Sequence, residues 1–198
     1  MIGRIFQPFH VAGFTIIPEG EPLPVPCGIP LFMGKKGAFG SGEHETTVSC
    51  LAFLEKLPEI RGAEVLDLGS GTGILAIAAA RLGAGRVVAL DIDPLAAESC
   101  LDNLRLNNVE DRVQVVCGEL ASLHEGTYDL FLANIYADVH LALADRMVSM
   151  TRPGGLLILS GIPIQDKFDV QSRFWRLGCE QLDLDILEDF TTIVMRRH

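Results

Sequence analysis

The sequence has no apolar run long enough to cross a membrane. Its longest uninterrupted hydrophobic stretch extends from Ile74 to Ala80, whereas a spanning helix needs about 20 apolar residues. The N-terminal stretch MIGRIFQPFHVAGF also lacks the apolar segment of a secretory signal peptide. We therefore expect a cytoplasmic protein that has no membrane partner.

Cysteine is scarce and scattered. The chain has five cysteines, an odd number, without a CxxC pair and without clustered histidines. A complete disulfide framework is excluded, and the ligand spacing of a zinc site is absent. We expect free thiols in the core and no metal site.

Basic residues are outnumbered by acidic ones. The chain has 16 Lys and Arg against 26 Asp and Glu, which gives a formal net charge of −10. Proteins that bind nucleic acid usually present a basic face, and the sequence has no extended cluster of lysine and arginine. The composition argues against a nucleic-acid partner.

The remaining composition is that of a globular protein. With 198 residues and 48% hydrophobic content, the chain can build one sizeable core. Proline is concentrated before Leu31, where no helical period is visible. We interpret residues 1–35 as an extended arm with one strand near Val11–Ile17, and residues 36–198 as the domain that holds the functional site.

From Thr46 onward, short apolar runs alternate with helical patterns. Thr46 and Thr47 can cap a first helix, which ends before Pro58. The predicted strands that follow are Val65–Asp67, Val87–Asp91, Val113–Val116, Tyr128–Ala133 and Leu156–Ser160, the last after a turn at Pro153-Gly154-Gly155. The predicted helices are Ile74–Leu82, Pro94–Asn107, Ala137–Met150 and Asp166–Leu177. A hairpin of Gln181–Leu187 and Thr191–Met195 closes the chain.

Alternating strands and helices predict an α/β fold with a mostly parallel sheet and right-handed crossovers. The final hairpin adds antiparallel strands to that sheet. In such folds, ligands bind outside the carboxyl ends of the strands. Functional residues are therefore expected directly after the predicted strands.

The stretch AEVLDLGSGTG (Ala63–Gly73) places a glycine-rich turn between a strand and a helix. Glycine allows positive φ and close approach to a ligand, and the following helix N-terminus presents unpaired N–H groups. Asp91 ends the next strand, where a carboxylate can accept both hydroxyls of a ribose. This pattern predicts an adenosine-type ligand. A nicotinamide dehydrogenase is disfavoured, because the third glycine of its G-x-G-x-x-G fingerprint is replaced by Ile74.

The pattern D-x-G-x-G-x-G from Asp67 to Gly73, followed by a strand that ends in an acid, resembles the seven-stranded methyltransferases that use S-adenosylmethionine. Five longer blocks resemble the PrmA family: KKGAFGSGEHETT (Lys35–Thr47), VLDLGSGTGILAIAA (Val65–Ala79), LDIDPLA (Leu90–Ala96), LANIYADVHLAL (Leu132–Leu143) and RPGGLLILSGI (Arg152–Ile162). The resemblance covers roughly residues 31–198. It implies a Rossmann-like class I methyltransferase sheet of seven strands, mostly parallel with an antiparallel C-terminal hairpin.

The resemblance also implies a set of site residues. Thr47, Gly69, Asp91 and Asn134 align with the family's contacts to S-adenosylmethionine, and Phe39 lies in a loop that we expect to close over this cofactor. The predicted cofactor-binding residues are Phe39, Thr47, Asp67, Gly69, Gly71, Gly73, Asp91 and Asn134.

Asn134 is the predicted catalytic residue. It follows an apolar strand, which places it beside the transferred methyl group, and its neutral amide oxygen can orient an amine nucleophile. The alternative is that Asn134 only caps the next helix. No general base is predicted, because desolvation lowers the pKa of a lysine acceptor.

PrmA enzymes methylate protein eleven of the large ribosomal subunit, so the resemblance implies methylation of amino groups of a protein. The family carries a small recognition domain ahead of its catalytic domain, whereas only a short segment precedes the AFGSG block here. Three hypotheses stay open: a methyltransferase of a ribosomal protein, a methyltransferase of another protein or small molecule, and a cofactor-binding module without turnover.

Overall fold

The computed structural model describes residues 7–25, 28–34, 42–123 and 126–198. Within these ranges the strands are β1 (Phe9–Val11), β2 (Phe14–Pro18), β3 (Ile29–Met33), β4 (Glu64–Leu68), β5 (Arg86–Asp91), β6 (Val113–Cys117), β7 (Tyr128–Asn134), β8 (Thr151–Pro163), β9 (Cys179–Ile186) and β10 (Phe190–Arg197). The helices are α1 (Glu45–Lys56), α2 (Ile74–Arg81), α3 (Pro94–Asn107), α4 (Ala137–Met150) and α5 (Lys167–Arg176). Short 3₁₀ helices lie at Pro58–Ile60, Leu120–Ser122 and Ile164–Asp166.

The N-terminal strands form a small sheet in which β1 pairs antiparallel with β2, and β2 pairs parallel with β3. The prediction of a single strand in this region was wrong. These strands have only three to five residues, too short for an alternating pattern to stand out. Phe14, Ile16 and Leu31 are fully buried in the same core cluster as residues of α1 and α2. The N-terminal segment is therefore part of the main hydrophobic core.

The large sheet has the order β6-β5-β4-β7-β8-β10-β9. Strands β4 to β8 pair in parallel, and β10 runs antiparallel to both β8 and β9. The predicted mostly parallel sheet with an antiparallel C-terminal hairpin is confirmed. The predicted helices and strands after residue 45 are all present, with ends that differ by a few residues.

Strand β8 departs from the prediction at its start. It begins at Thr151, which pairs with Tyr128, and the register then shifts so that Leu130 pairs with Leu156. Gly154 has φ +79° within this irregularity. The turn predicted at 153–155 is thus a bulge inside a strand, because pairing with β7 has already begun before the proline and glycines.

Both faces of the large sheet are covered, as is usual for parallel strands. Side chains alternate along β7: Leu130 and Leu132 belong to the core that includes α1, α2 and the N-terminal strands, while Phe131 and Ala133 belong to the core with α4 and α5. The carboxyl ends of the parallel strands meet at one edge, and β4 lies between β5 and β7. Among the described helices, none has the length and apolar character required to span a membrane.

Candidate cofactor and active site

The glycine-rich turn after β4 has a left-handed backbone at each of its three glycines. The φ angles are +71° at Gly69, +54° at Gly71 and +80° at Gly73, a region that L side chains rarely adopt. The amides of Gly69 and Ser70 donate to the carbonyl of Leu90 at 2.8 and 3.1 Å. The turn therefore needs glycine for its shape and is tied to the end of β5.

Gly73 allows a test of whether the turn needs glycine for its backbone conformation alone or also for lack of space. It is the N-cap of α2, and a Cβ there would lie 2.4 Å from Cys100 Sγ. Gly62 has a similar φ of +76°, but a Cβ there would meet nothing within 4 Å, so this position isolates backbone strain. We expect Gly62→Ala to lower the free energy of unfolding by about 1–2 kcal/mol, and Gly73→Ala by about 1–3 kcal/mol more because of overpacking.

Urea denaturation of the two glycine variants beside the wild type measures this difference. Equal losses would mean that Cys100 moves aside at no cost, which would contradict a tightly packed turn. Because both variants reduce the entropy of the unfolded chain in the same way, that effect cancels in the comparison.

Asp91 joins the end of β5 to the glycine turn. Its Oδ2 accepts a hydrogen bond from the Gly71 amide at 2.8 Å, and its Oδ1 accepts from the Asp93 amide at 3.0 Å. The side chain of Ile92, the next residue, is 73% exposed. The structure thus places a half-buried carboxylate and an exposed apolar side chain beside the turn. The sequence reasoning missed Ile92, although an isoleucine between Asp91 and Asp93 was the available signal.

Asp67 lies beneath the turn. It is 1% exposed, and its Oδ2 accepts from the Ala76 amide in the first turns of α2 at 3.1 Å. Burial, with a smaller contribution from the charge of Asp91, raises the pKa of Asp67 to about 7, although the Ala76 hydrogen bond lowers it. In this structure the Asp67 side chain on β4 is hydrogen-bonded to α2 and so links the two elements.

Asn134 ends β7 on the other side of β4. Its Nδ2 lies 3.5 Å from Oγ1 of Thr47, a long hydrogen bond to a buried hydroxyl of α1. The N-cap of α4 is Tyr136, whose side chain makes no capping bond, so the alternative that Asn134 caps this helix was wrong. The side chain of Tyr136 is 78% exposed beside it. Phe39 lies outside the described residues.

The start of α1 is built differently from the prediction. The N-cap is His44, whose Nδ1 accepts from the Thr46 amide at 3.3 Å, so Thr46 and Thr47 lie inside the helix and do not cap it. Glu45 accepts hydrogen bonds from the amides of Glu188 and Asp189 at 2.9 and 3.2 Å. The loop between β9 and β10 is therefore hydrogen-bonded to the first turn of α1, which contains Thr47. No local sequence pattern could reveal a contact between segments so far apart.

His140 supports the Asn134 turn from the core. It is fully buried, and its Nε2 donates to the Ser160 carbonyl at 2.9 Å, which also accepts from the Ile135 amide at 3.1 Å. Nδ1 has no hydrogen-bond partner among the described residues. Burial lowers the pKa of His140 from 6.5 to about 4, against a smaller opposing effect of the Ser160 carbonyl.

The pKa of His140 predicts a loss of stability in acid. The folded pKa lies below the unfolded value of 6.5, so the unfolded chain binds more protons between these values, and stability falls as the pH falls through this window. The loss reaches about 3 kcal/mol near pH 4. Asp67 acts in the opposite sense, since its raised pKa makes its ionisation destabilising as the pH rises from about 4 to about 7.

A variant separates the two opposing effects. His140→Gln leaves Asp67 in place, so the difference in unfolding free energy between wild type and variant isolates the histidine. We expect the unfolding free energy of the wild type to fall relative to that of the variant as the pH is lowered from 7 to 4. Urea denaturation at each pH measures both values. A difference that stays constant would show that His140 does not titrate on unfolding.

Fold and site together define a class of protein. A seven-stranded sheet of this order, with a glycine turn facing an acidic strand end, is the Rossmann-like fold of class I methyltransferases. A solved ribosomal protein L11 methylase from Lactobacillus delbrueckii subsp. bulgaricus superposes with a TM-score of 0.89 at 26% identity, covering 98% of this chain and 100% of that one. An RNA methyltransferase from Salinibacter ruber, in complex with S-adenosyl-L-homocysteine, shares the fold at a TM-score of 0.61 and 20% identity over 75% of this chain and 90% of its own.

The chain belongs to the family of ribosomal protein L11 methyltransferases (PrmA), whose family model matches residues 2–198. A relative of that name from Pelobacter propionicus is 44% identical over 90% of this chain, and one from Pelotomaculum thermopropionicum is 54% identical over 66% of it. The matches span 58% and 42% of the length of these relatives.

Proposed function

We propose that the protein is an S-adenosylmethionine-dependent methyltransferase that methylates amino groups, in particular lysine, of a protein. One observation carries the proposal beyond family membership. The glycine turn after β4 is flanked by Asp91 at the end of β5 and by Asn134 at the end of β7. These are the positions where an α/β sheet binds its ligand.

The chemistry of the turn supports the cofactor. The Gly69 and Gly71 backbone suits the amino-acid end, the Asp91 carboxylate suits the ribose hydroxyls, and the exposed Ile92 offers an apolar surface for the base. When bound, S-adenosylmethionine supplies a methyl group on a positively charged sulfonium. The carboxylate of Asp91 favours that charge.

The acceptor side of the site rests on Asn134. Its amide nitrogen is directed to Thr47, which leaves the carbonyl oxygen of the side chain to accept a hydrogen bond from an incoming amine. Gly161 has φ +76°, and a Cβ there would approach that oxygen to 3.1 Å. Holding the amine in line can lower the barrier by about 7–11 kcal/mol. We assign no residue as a general base.

For the acceptor we propose ribosomal protein L11, because the relatives carry that substrate in their names. The absence of a nucleic-acid partner, the cytoplasmic location, the closing of Phe39 over the cofactor and the boundary between residues 1–35 and 36–198 stay predictions of the sequence. The packing of the N-terminal strands into the main core supports treating both segments as one folding unit.

Incubation of the purified protein with methyl-labelled S-adenosylmethionine and purified L11 tests the proposal. We expect label on L11 and a mass shift on its amino groups. If the protein does not label L11 but labels a different protein in a bacterial lysate, that protein is the acceptor and L11 is not. Cofactor binding by calorimetry without any transfer would indicate a binding module, and the absence of binding would overturn the proposal.

A further inference from the structure

A buried asparagine of α3 connects two segments around the glycine turn. Asn103 is 2% exposed, and its Nδ2 donates to the Thr72 carbonyl, inside the turn, at 2.9 Å. Its Oδ1 accepts from the Gly34 amide, just after β3, at 2.8 Å. One side-chain amide therefore uses its donor on the turn and its acceptor on the end of the N-terminal sheet.

A second asparagine one helical turn further makes a similar connection that omits the turn. Asn107 is fully buried; its Oδ1 accepts from the Phe32 amide at 2.9 Å, and its Nδ2 donates to the Phe32 carbonyl at 2.7 Å and to the Asn103 carbonyl at 2.8 Å. Asn103 and Asn107 thus share helix, burial and side chain, but only Asn103 reaches the glycine turn.

Asn103 contacts the glycine turn that is proposed to bind the cofactor. Thr72 lies between Gly71, whose amide binds Asp91, and Gly73, which begins α2. Glycines with positive φ define a shape but do not hold it, because glycine has many accessible conformations. Bonds from outside the turn must hold it: the Leu90 carbonyl and the Asp91 carboxylate do so from β5, and Asn103 does so from α3.

We propose that Asn103 is a positioning residue for cofactor binding: through the Thr72 carbonyl it holds the glycine turn in its binding shape and couples that shape to the end of β3. The inference rests on the proposed function, since it concerns the same cofactor site. It assigns to α3 and the N-terminal sheet a part in the affinity for the cofactor, which family resemblance alone did not reveal.

Matched variants test this role. Asn103→Ala and Asn107→Ala each remove a buried amide from α3 and break a bond to the segment around β3, so both are expected to lower the melting temperature. Binding of S-adenosylmethionine and S-adenosylhomocysteine is measured by calorimetry at a temperature where each variant is folded. We expect Kd to rise about tenfold or more for Asn103→Ala, corresponding to the loss of one buried hydrogen bond and its geometry, and to stay within about twofold for Asn107→Ala.

Kinetics give a second readout. With Asn103→Ala, KM for the methyl donor rises while kcat at saturating donor changes little, because the turn can still be drawn into shape by excess ligand. If Asn103→Ala does not fold, Asn103→Leu serves in its place, with Asn107→Leu as its control: leucine has a similar volume but cannot donate to the Thr72 carbonyl, and the same weakening is expected.

The outcomes are distinguishable. If the wild type binds the cofactor and the Asn103 variants bind it as well as Asn107→Ala does, the positioning role is wrong and the proposed function stands. If the wild type binds neither compound, the proposed function fails and this inference fails with it.

Discussion

Replacing Asp91 with alanine is expected to weaken the binding of S-adenosylmethionine by about 100-fold or more. The carboxylate is proposed to accept the ribose hydroxyls, and hydrogen bonds to a charged group are worth about 1.5–3 kcal/mol each, where about 1.4 kcal/mol is a factor of ten in Kd. The variant also removes the acceptor of the Gly71 amide, so the turn loses an internal support. Calorimetric titration with the cofactor measures the effect.

Asp93→Ala is the matched control. Asp93 lies two residues further, is exposed, and its Oδ1 accepts from the Leu95 amide as the N-cap of α3. Its loss removes the same charge from the same strand end and lowers stability by about 1 kcal/mol, but Kd for the cofactor is expected to change only slightly. If both variants bind equally well, Asp91 does not hold the ribose.

The second large effect is expected at Asn134. Asn134→Ala should lower kcat for methyl transfer by about 100-fold, because misplacing a reacting group by about 1 Å has an effect of this size. The Kd of the cofactor should rise by a smaller factor, since the glycine turn and Asp91 remain although Asn134 is also a predicted cofactor contact. Steady-state kinetics with the labelled donor, together with calorimetry, separate the two quantities.

Thr47→Val tests how the Asn134 amide is oriented. It removes the hydroxyl that lies 3.5 Å from Nδ2 and leaves the Asn134 side chain present but free to rotate. We expect a smaller decrease in kcat, of about tenfold, in line with the loss of one neutral hydrogen bond. An unchanged kcat in Asn134→Ala would remove this residue from the catalytic machinery, and the Thr47 result would then concern packing alone.

Regular local patterns explain which parts of the fold could be predicted. Helix α3 was predicted with its observed ends, because Pro94 favours a first helical turn and the helix runs to Asn107 before a left-handed C-cap at Asn108. The strands of the large sheet are apolar runs bounded by turns, and their alternation with helices predicts parallel pairing. The small N-terminal sheet was not predicted, since strands as short as Phe9–Val11 carry too few residues to show a period.

The site divides in the same way. The glycine turn and Asp91 could be found because glycines in a turn and an acid at the next strand end form a compact motif. Glu45, which contacts the hairpin from α1, and Asn103, which contacts the turn from α3, had no such signal. Each of these side chains bonds to a backbone group of a segment that is distant in the sequence. Because every residue has a backbone amide and carbonyl, such a contact does not restrict the residue type at the contacted position.

By itself, the sequence determined the class of fold, the family, the glycine turn and the acid that faces it, because these depend on periodicity and on glycine and aspartate at fixed spacing. Only the tertiary structure decided that the N-terminal strands belong to the core, that Asp67 is buried with a raised pKa, and that Asn103 but not Asn107 reaches the glycine turn. These features depend on which segments pack against each other. Burial and long-range hydrogen bonding arise from that packing and cannot be read from any one segment of the chain.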